Sequence, residues 1–190
     1  GTAADTVDAS AETGTAVRFV GVSLNDSFTG GGTNDRFEMA SANFTLIDGD
    51  GGALNRMLPT VASFTFDLTA PANTPKLQNI QVIDLGFTAA ASLTIDRASV
   101  NSASGAANAM YVLGNPDDSV TVGDIWNYAG SHTNPGIGGQ VFDEYVHVSG
   151  TRVFIQQGVN LTIDVNAAPT VGGAIAGGAA ENGDDEAIDL

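Results

Sequence analysis

The chain has 190 residues, and its 22 acidic and 6 basic side chains give a formal net charge of -16. A surface that negative repels nucleic acid and anionic membranes and draws in cations. There is no cysteine for a disulfide framework and no apolar run long enough for a helical membrane span, so neither nucleic-acid binding nor membrane insertion is expected.

The first 60 residues are built from short similar units: GTAADTV, GTAVRFV, GVSLNDSF, GGTNDRF and the turn DGDGG at Asp48 to Gly52. Asn-Asp-x-Phe occurs twice, nine residues apart, so that Asp26 and Phe28 are matched by Asp35 and Phe37. Extending the step of nine in both directions adds Phe19 and Leu46. Neither a helix nor a hairpin has that period. A nine-residue unit is the half-turn of a parallel β-solenoid, and two half-turns make one coil of about eighteen. Phe19, Phe28, Phe37 and Leu46 are therefore predicted to form one inward stripe.

From residue 61 to 164 the strand-like runs are SFTFDLT, LQNIQVIDL, SLTIDRA, AMYVLG, SVTVGD, DEYVHV, RVFIQ and NLTIDV. They alternate or are β-branched, and turns such as GNPDDS separate many of them. DRASVNSASGAANAM has room for one short helical turn at most. The predicted fold is all-β: a parallel β-solenoid, β-roll-like with short turns and extended by further strands, over residues 1–164. Residues 165–170 read as a linker, and 171–190 as an extended tail or the first strand of a following β-module. The chain starts without Met inside repeat-like sequence, so it is expected to be part of a longer polypeptide.

A calcium ion takes about six to eight oxygens from carboxylates and carbonyls. A Gly-rich turn offers carbonyls, here those of Gly30 and Gly32, and the acid that follows adds a carboxylate, here Asp35 and, in the preceding unit, Asp26. Asp48 and Asp50 offer the same at the next turn. The other reading is that these aspartates cap turns by accepting backbone N–H groups. One coil of eighteen beyond Asp26 and Asp35 stand Phe44 and Ala53, neither a ligand, so a continuous ladder of ions is excluded. At most about two calcium ions are expected, near Gly30–Asp35 and Asp48–Asp50.

GGGTNDRFE, Gly30 to Glu38, resembles the calcium-binding nonapeptide of RTX proteins, with Gly30 and Gly31 first, Asp35 the acid and Phe37 the apolar position; Thr33 replaces the fourth-position glycine. LQNIQVIDLGFTAAASLTIDRASV, LGNPDDSVTV, IWNYAG and YVHVSGTRVFIQQGVNLTI are similar to segments that follow such repeats in very large bacterial surface adhesins. That resemblance implies a secreted, extracellular or cell-surface protein stabilised by Ca2+. DVNAAPT, Asp164 to Thr170, resembles the linker before cadherin-like and immunoglobulin-like modules. It implies further calcium ligands at Asp164, Asn166 and Glu181, whereas a Pro-stiffened linker needs no metal.

Catalytic patterns are not found: there is no His-Glu-x-x-His and no Gly-x-Ser-x-Gly. His147 reads as a sheet residue and His132 as a loop residue. Asp143 and Glu144 are adjacent in a strand, face opposite sides and cannot act as a pair. Trp126 and Tyr128 share a strand face, so they either stack on a sugar or pack over the core end. The expected function is a structural or adhesive module of a secreted RTX-type surface protein. The alternatives are the calcium-binding export module of an extracellular enzyme, or a carbohydrate-binding module that takes a surface glycan at Trp126 and Tyr128. The tail alternates at EAIDL and is expected to dock on a neighbouring copy, giving a homo-oligomer or head-to-tail filament. Its alternatives are folding back or starting the next module.

Overall fold

The computed structural model describes residues 3–87 and 90–165. The first half contributes β1 (Thr6–Asp8), β2 (Arg18–Val22), β3 (Ser27–Thr29), β4 (Arg36–Met39), β5 (Leu46–Asp48), β6 (Arg56–Pro59), β7 (Thr65–Asp67), β8 (Leu77–Gln78) and β9 (Val82–Asp84). The second half contributes β10 (Ser92–Ile95), α1 (Arg97–Ser104), β11 (Ala109–Leu113), β12 (Ser119–Asn134), β13 (Gln140–His147), β14 (Arg152–Gln156) and β15 (Asn160–Val165).

Strands β1 to β6 alternate between two sheets. One has the order β1-β3-β5-β8, all parallel. The other begins β2-β4-β6-β9-β11-β14, also parallel, then turns through the antiparallel strands β13 and β12 to the parallel pair β10-β7, with β15 added beside β12. The chain is thus mostly β with one small helix, as its alternating runs predict. It is a curled mixed sheet, however, and not the parallel β-solenoid expected. The reason lies in the second half. β12 and β13 are joined by only the short turn Pro135–Ile137 and two glycines, and strands joined that closely can pair only antiparallel.

The inward stripe is present with one correction. Phe19 stacks on Phe37 with ring centroids 4.8 Å apart, and Phe28 meets Phe19 edge-on at 5.2 Å. The next inward residue is Ile47 and not Leu46: Phe28 pairs with Ile47, which is fully buried, while Leu46 pairs with Ser27 and is half-buried. The turn before β5 holds one residue more than a strict period of nine permits, and a one-residue slip exchanges the faces of a strand. The steps between paired coils are therefore 18 from Phe19 to Phe37, 19 from Phe28 to Ile47 and 20 from Phe37 to Met57.

Helix α1 exceeds the one turn predicted. Asp96 caps α1 by accepting the Ser99 N–H at 2.7 Å, and the Ser99 hydroxyl accepts the Asp96 N–H at 2.8 Å, a capping box that stabilises the first turn. Val100 and Ala103 point from the helix into the main core. A second, smaller core lies on the outward face of the larger sheet, where Ile137 and Phe142 of the β12–β13 hairpin cover Val82, Leu113 and Phe154.

Candidate functional site

Three buried aspartates perform the same task. Asp26 accepts the N–H of Ser23 in its own turn at 2.7 Å and the N–H of Asp5 in the preceding coil at 2.9 Å. Asp35 accepts Gly31 N–H at 2.6 Å from its own turn and Val17 N–H at 2.7 Å from the preceding coil. Asp118 does so with Asn115 at 2.7 Å and Ala91 at 2.8 Å. Each carboxylate gives one oxygen to its own turn and the other to the coil before it. Charge-assisted bonds of this kind are stronger than neutral ones, so each aspartate acts as a clip between successive coils.

At Asp35 the clip continues as a ladder. Asp35 N–H is accepted by Asn55 Oδ1 at 2.8 Å, and Asn55 N–H by Gln81 Oε1 at 3.0 Å. The Asn55 amide also donates to the carbonyls of Gly49 and Asn79 at 3.0 and 2.9 Å, and Gln81 donates to the Ser104 carbonyl at 3.3 Å. All three ladder side chains are buried. A buried polar network stabilises only when it is fully satisfied, and here every rung has its partner. The glycines of the expected calcium turn have a steric reason as well. A Cβ on Gly30 would collide with Asp35 Oδ2 and come within 2.9 Å of the Gly49 carbonyl oxygen, and one on Gly49 would collide with the Asn55 amide.

The expected calcium ligands Asp26 and Asp35 each accept two backbone N–H groups, one on each carboxylate oxygen, a turn-capping contact that needs no metal. The coil neighbours of Asp26 and Asp35 are Thr45 and Asn55, not the Phe44 and Ala53 that a step of eighteen gives. Gly30 and Gly32 serve the stack through their N–H groups, donating to Asp48 O at 2.7 Å and Glu12 O at 2.6 Å. Asp48 Oδ1 accepts the N–H of Asp50 at 2.9 Å and the amide of Asn79 at 2.8 Å, while Asp50 takes a left-handed backbone, φ +52°. Among the described residues no three His, Cys, Asp or Glu side chains gather as a metal site. Asp164 falls in β15, whose backbone alone is described there; Asn166, Glu181 and the tail lie outside the described residues.

The strand face shared by Trp126 and Tyr128 is divided between core and surface. Trp126 is fully buried and its Nε1–H donates to the Gly123 carbonyl at 2.7 Å, so it packs the core. Tyr128 remains 54% exposed, near Ser131, Asp143 and Gln157. His147 accepts the Ser149 N–H through Nδ1 at 3.1 Å, and the His132 ring lies 5.2 Å from that of Phe154. Asp143 bonds Ser131 and Gln157 while Glu144 pairs with Arg152 at 3.2 Å, so the two acids serve separate networks.

One feature escaped the sequence reading. Arg18, Arg36 and Arg56 pair in register across β2, β4 and β6. Since Phe19, Phe37 and Met57 point inward, these arginines stand on the outward face. Arg18 holds the buried Glu38 through two nitrogens, Arg36 Nε lies 2.9 Å from Glu38, and Arg56 pairs with Asp84. The Arg18 bonds come first among the causes that hold the Glu38 carboxyl below its ordinary range, against the opposing effect of burial. At Asp26 burial pushes the carboxyl up, but the N–H bonds from Asp5 and Ser23 outweigh it and the group stays below the usual carboxylate range. The recurring VRF, DRF and NRM at 17–19, 35–37 and 55–57 was the legible signal for both the ladder and the arginine row. No family model, curated protein or solved structure matches the chain.

Proposed function

We propose that this chain is an extracellular structural or adhesive module of a secreted surface protein, one whose stacked coils transmit shape rather than perform catalysis. The observation that carries this reading is the system of side-chain clips, which at Asp26, Asp35 and Asp118 ties a coil to the one before it. Its chemistry is directed at the chain's own backbone, not at a substrate. The RTX-like motifs supply the extracellular setting. Calcium plays no part in the clips of this proposal, because Asp26 and Asp35 already hold N–H donors.

Self-assembly belongs to the same reading. β1 and β2 are the end strands of their two sheets, and Val7 and Val20 on them are 41% and 65% exposed. Strand edges with apolar side chains at the end of the described sheets invite strand addition. A second copy stacked on this end makes a head-to-tail contact, which propagates when its rotation does not close. Sedimentation velocity over a concentration series tests it. Association that grows with concentration and is abolished by Thr6→Pro with Val7→Lys is the expected result. A monomer at every concentration removes self-assembly from the proposal.

A further inference from the structure

Three of the six basic residues of this acidic chain stand side by side in one row, in register on neighbouring parallel strands. Adjacent strands are about 4.8 Å apart, and like charges placed opposite one another destabilise a sheet unless they are compensated. The compensation is incomplete: three guanidinium groups face two carboxylates, Glu38 and Asp84. Arg18 takes Glu38 with two nitrogens and Arg56 takes Asp84, which leaves Arg36 as the surplus cation between two ion pairs. Its ion pair is with Glu38, Nε at 2.9 Å, and that Nε makes no aligned hydrogen bond. Its side chain is 40% exposed, and its guanidinium carbon lies 5.8 Å from the centre of the Phe87 ring, itself 56% exposed.

We propose that this row is a binding site for an acidic glycan, whose carboxylate or sulfate seats on the outer nitrogens of Arg36 while a sugar face lies against Phe87. A guanidinium fork matches the two oxygens of such a group, and an aromatic ring beside it supplies the apolar contact. The flanking Arg18 and Arg56 extend the favourable field along the strand-stacking direction, so a polymer with repeated charges suits the row better than a single anion. The rest of the surface repels polyanions, but charges beyond roughly 8–10 Å are screened at physiological salt. The site therefore has to act locally, and any binding found is diagnostic of it. It gives the adhesive reading above a ligand and rests on that reading only for its biological setting, since binding and assembly are measured separately.

Affinity electrophoresis of the whole chain through gels containing polygalacturonate, dextran sulfate or neutral dextran tests the proposal, with chelator present so that metal ions cannot bridge two anions. Expected is retardation by one or both acidic polymers, none by dextran, and a steady loss of retardation as salt rises. Retardation by polygalacturonate alone assigns a carboxylate, and by dextran sulfate alone a sulfate. Arg36→Gln should weaken binding at least tenfold and Phe87→Ala several-fold, whereas Arg97→Gln, the same change in net charge elsewhere, should leave it unaltered. Thermal melts of each variant show that the fold is intact; if Arg36→Gln does not fold, Phe87→Ala against Arg97→Gln decides. No retardation of the wild type by either acidic polymer, or an equal loss with Arg97→Gln, overturns the proposal. Retention of binding by a chain that never self-associates removes assembly and leaves the site standing.

Discussion

Removing the Asp35 carboxylate is the sharpest perturbation of the clip mechanism. Asp35→Ala strands two donors, the N–H groups of Val17 and Gly31, now held at 2.7 and 2.6 Å. A buried donor left unpaired costs about 1–3 kcal/mol. Asp35 is only 2% exposed, so water reaches the vacated position poorly. The Gly31 bond is buried and the Val17 bond partly so, and the two losses together come to about 2–6 kcal/mol, a large share of the roughly 5–15 kcal/mol that holds a domain folded. For a chain of this size that lowers Tm by about 4–24 °C. Circular dichroism melts should be run in chelator, in magnesium and in calcium at matched ionic strength. A clip acts without metal, so the loss should have the same size in all three, and calcium should stabilise the wild type no more than magnesium does. If wild type and Asp35→Ala melt together in chelator and separate only in calcium, Asp35 is a metal ligand and the clip assignment is wrong.

The register of β5 is checked by paired truncations: Ile47→Ala should cost about 2–5 kcal/mol in urea unfolding, and Leu46→Ala about 1 kcal/mol. The reverse order restores the strict nine-residue stripe. Acid should destabilise the fold in a defined window. Asp26 and Glu38 have folded pKa values below their unfolded ones, so their stabilisation is full above about pH 5 and is lost as pH falls through about 4 and below. Relief of the net negative charge works in the opposite sense, so Tm should hold or rise slightly from pH 7 to 5 and then fall; a Tm still rising at pH 3 contradicts the assignment. Trp126 should emit at the short wavelength of a buried indole and resist quenching by iodide, and an emission typical of water-exposed tryptophan would disprove its place in the core.

The periodic residues made much of this fold legible. The phase of Phe19, Phe28 and Phe37 marked the inward stripe, because a side chain's face follows from its count along the strand. The β content followed from alternation, and the adjacency of Asp143 and Glu144 placed them on opposite faces. SLTID, SVTVGD and NLTID at residues 92, 119 and 160 also recur at strands that pair directly in the structure, a repeat of longer step that a search for nines passes over.

Other features depended on tertiary contacts. Whether Asp26 and Asp35 hold an ion or a backbone N–H is a matter of what the preceding coil brings within about 3 Å, here the N–H groups of Asp5 and Val17, 21 and 18 residues earlier. A shift of one or two residues replaces Ala53 by Asn55 beside Asp35 and turns a gap into a ladder rung. Trp126 and Tyr128 share a strand and a face, yet only Trp126 lies within the main core. The mixed sheet arises in the same way, from the pairing of β12 with β13. Local sequence determines period and face; which surfaces meet depends on loop lengths summed over the whole coil, and a single added residue changes every partner beyond it.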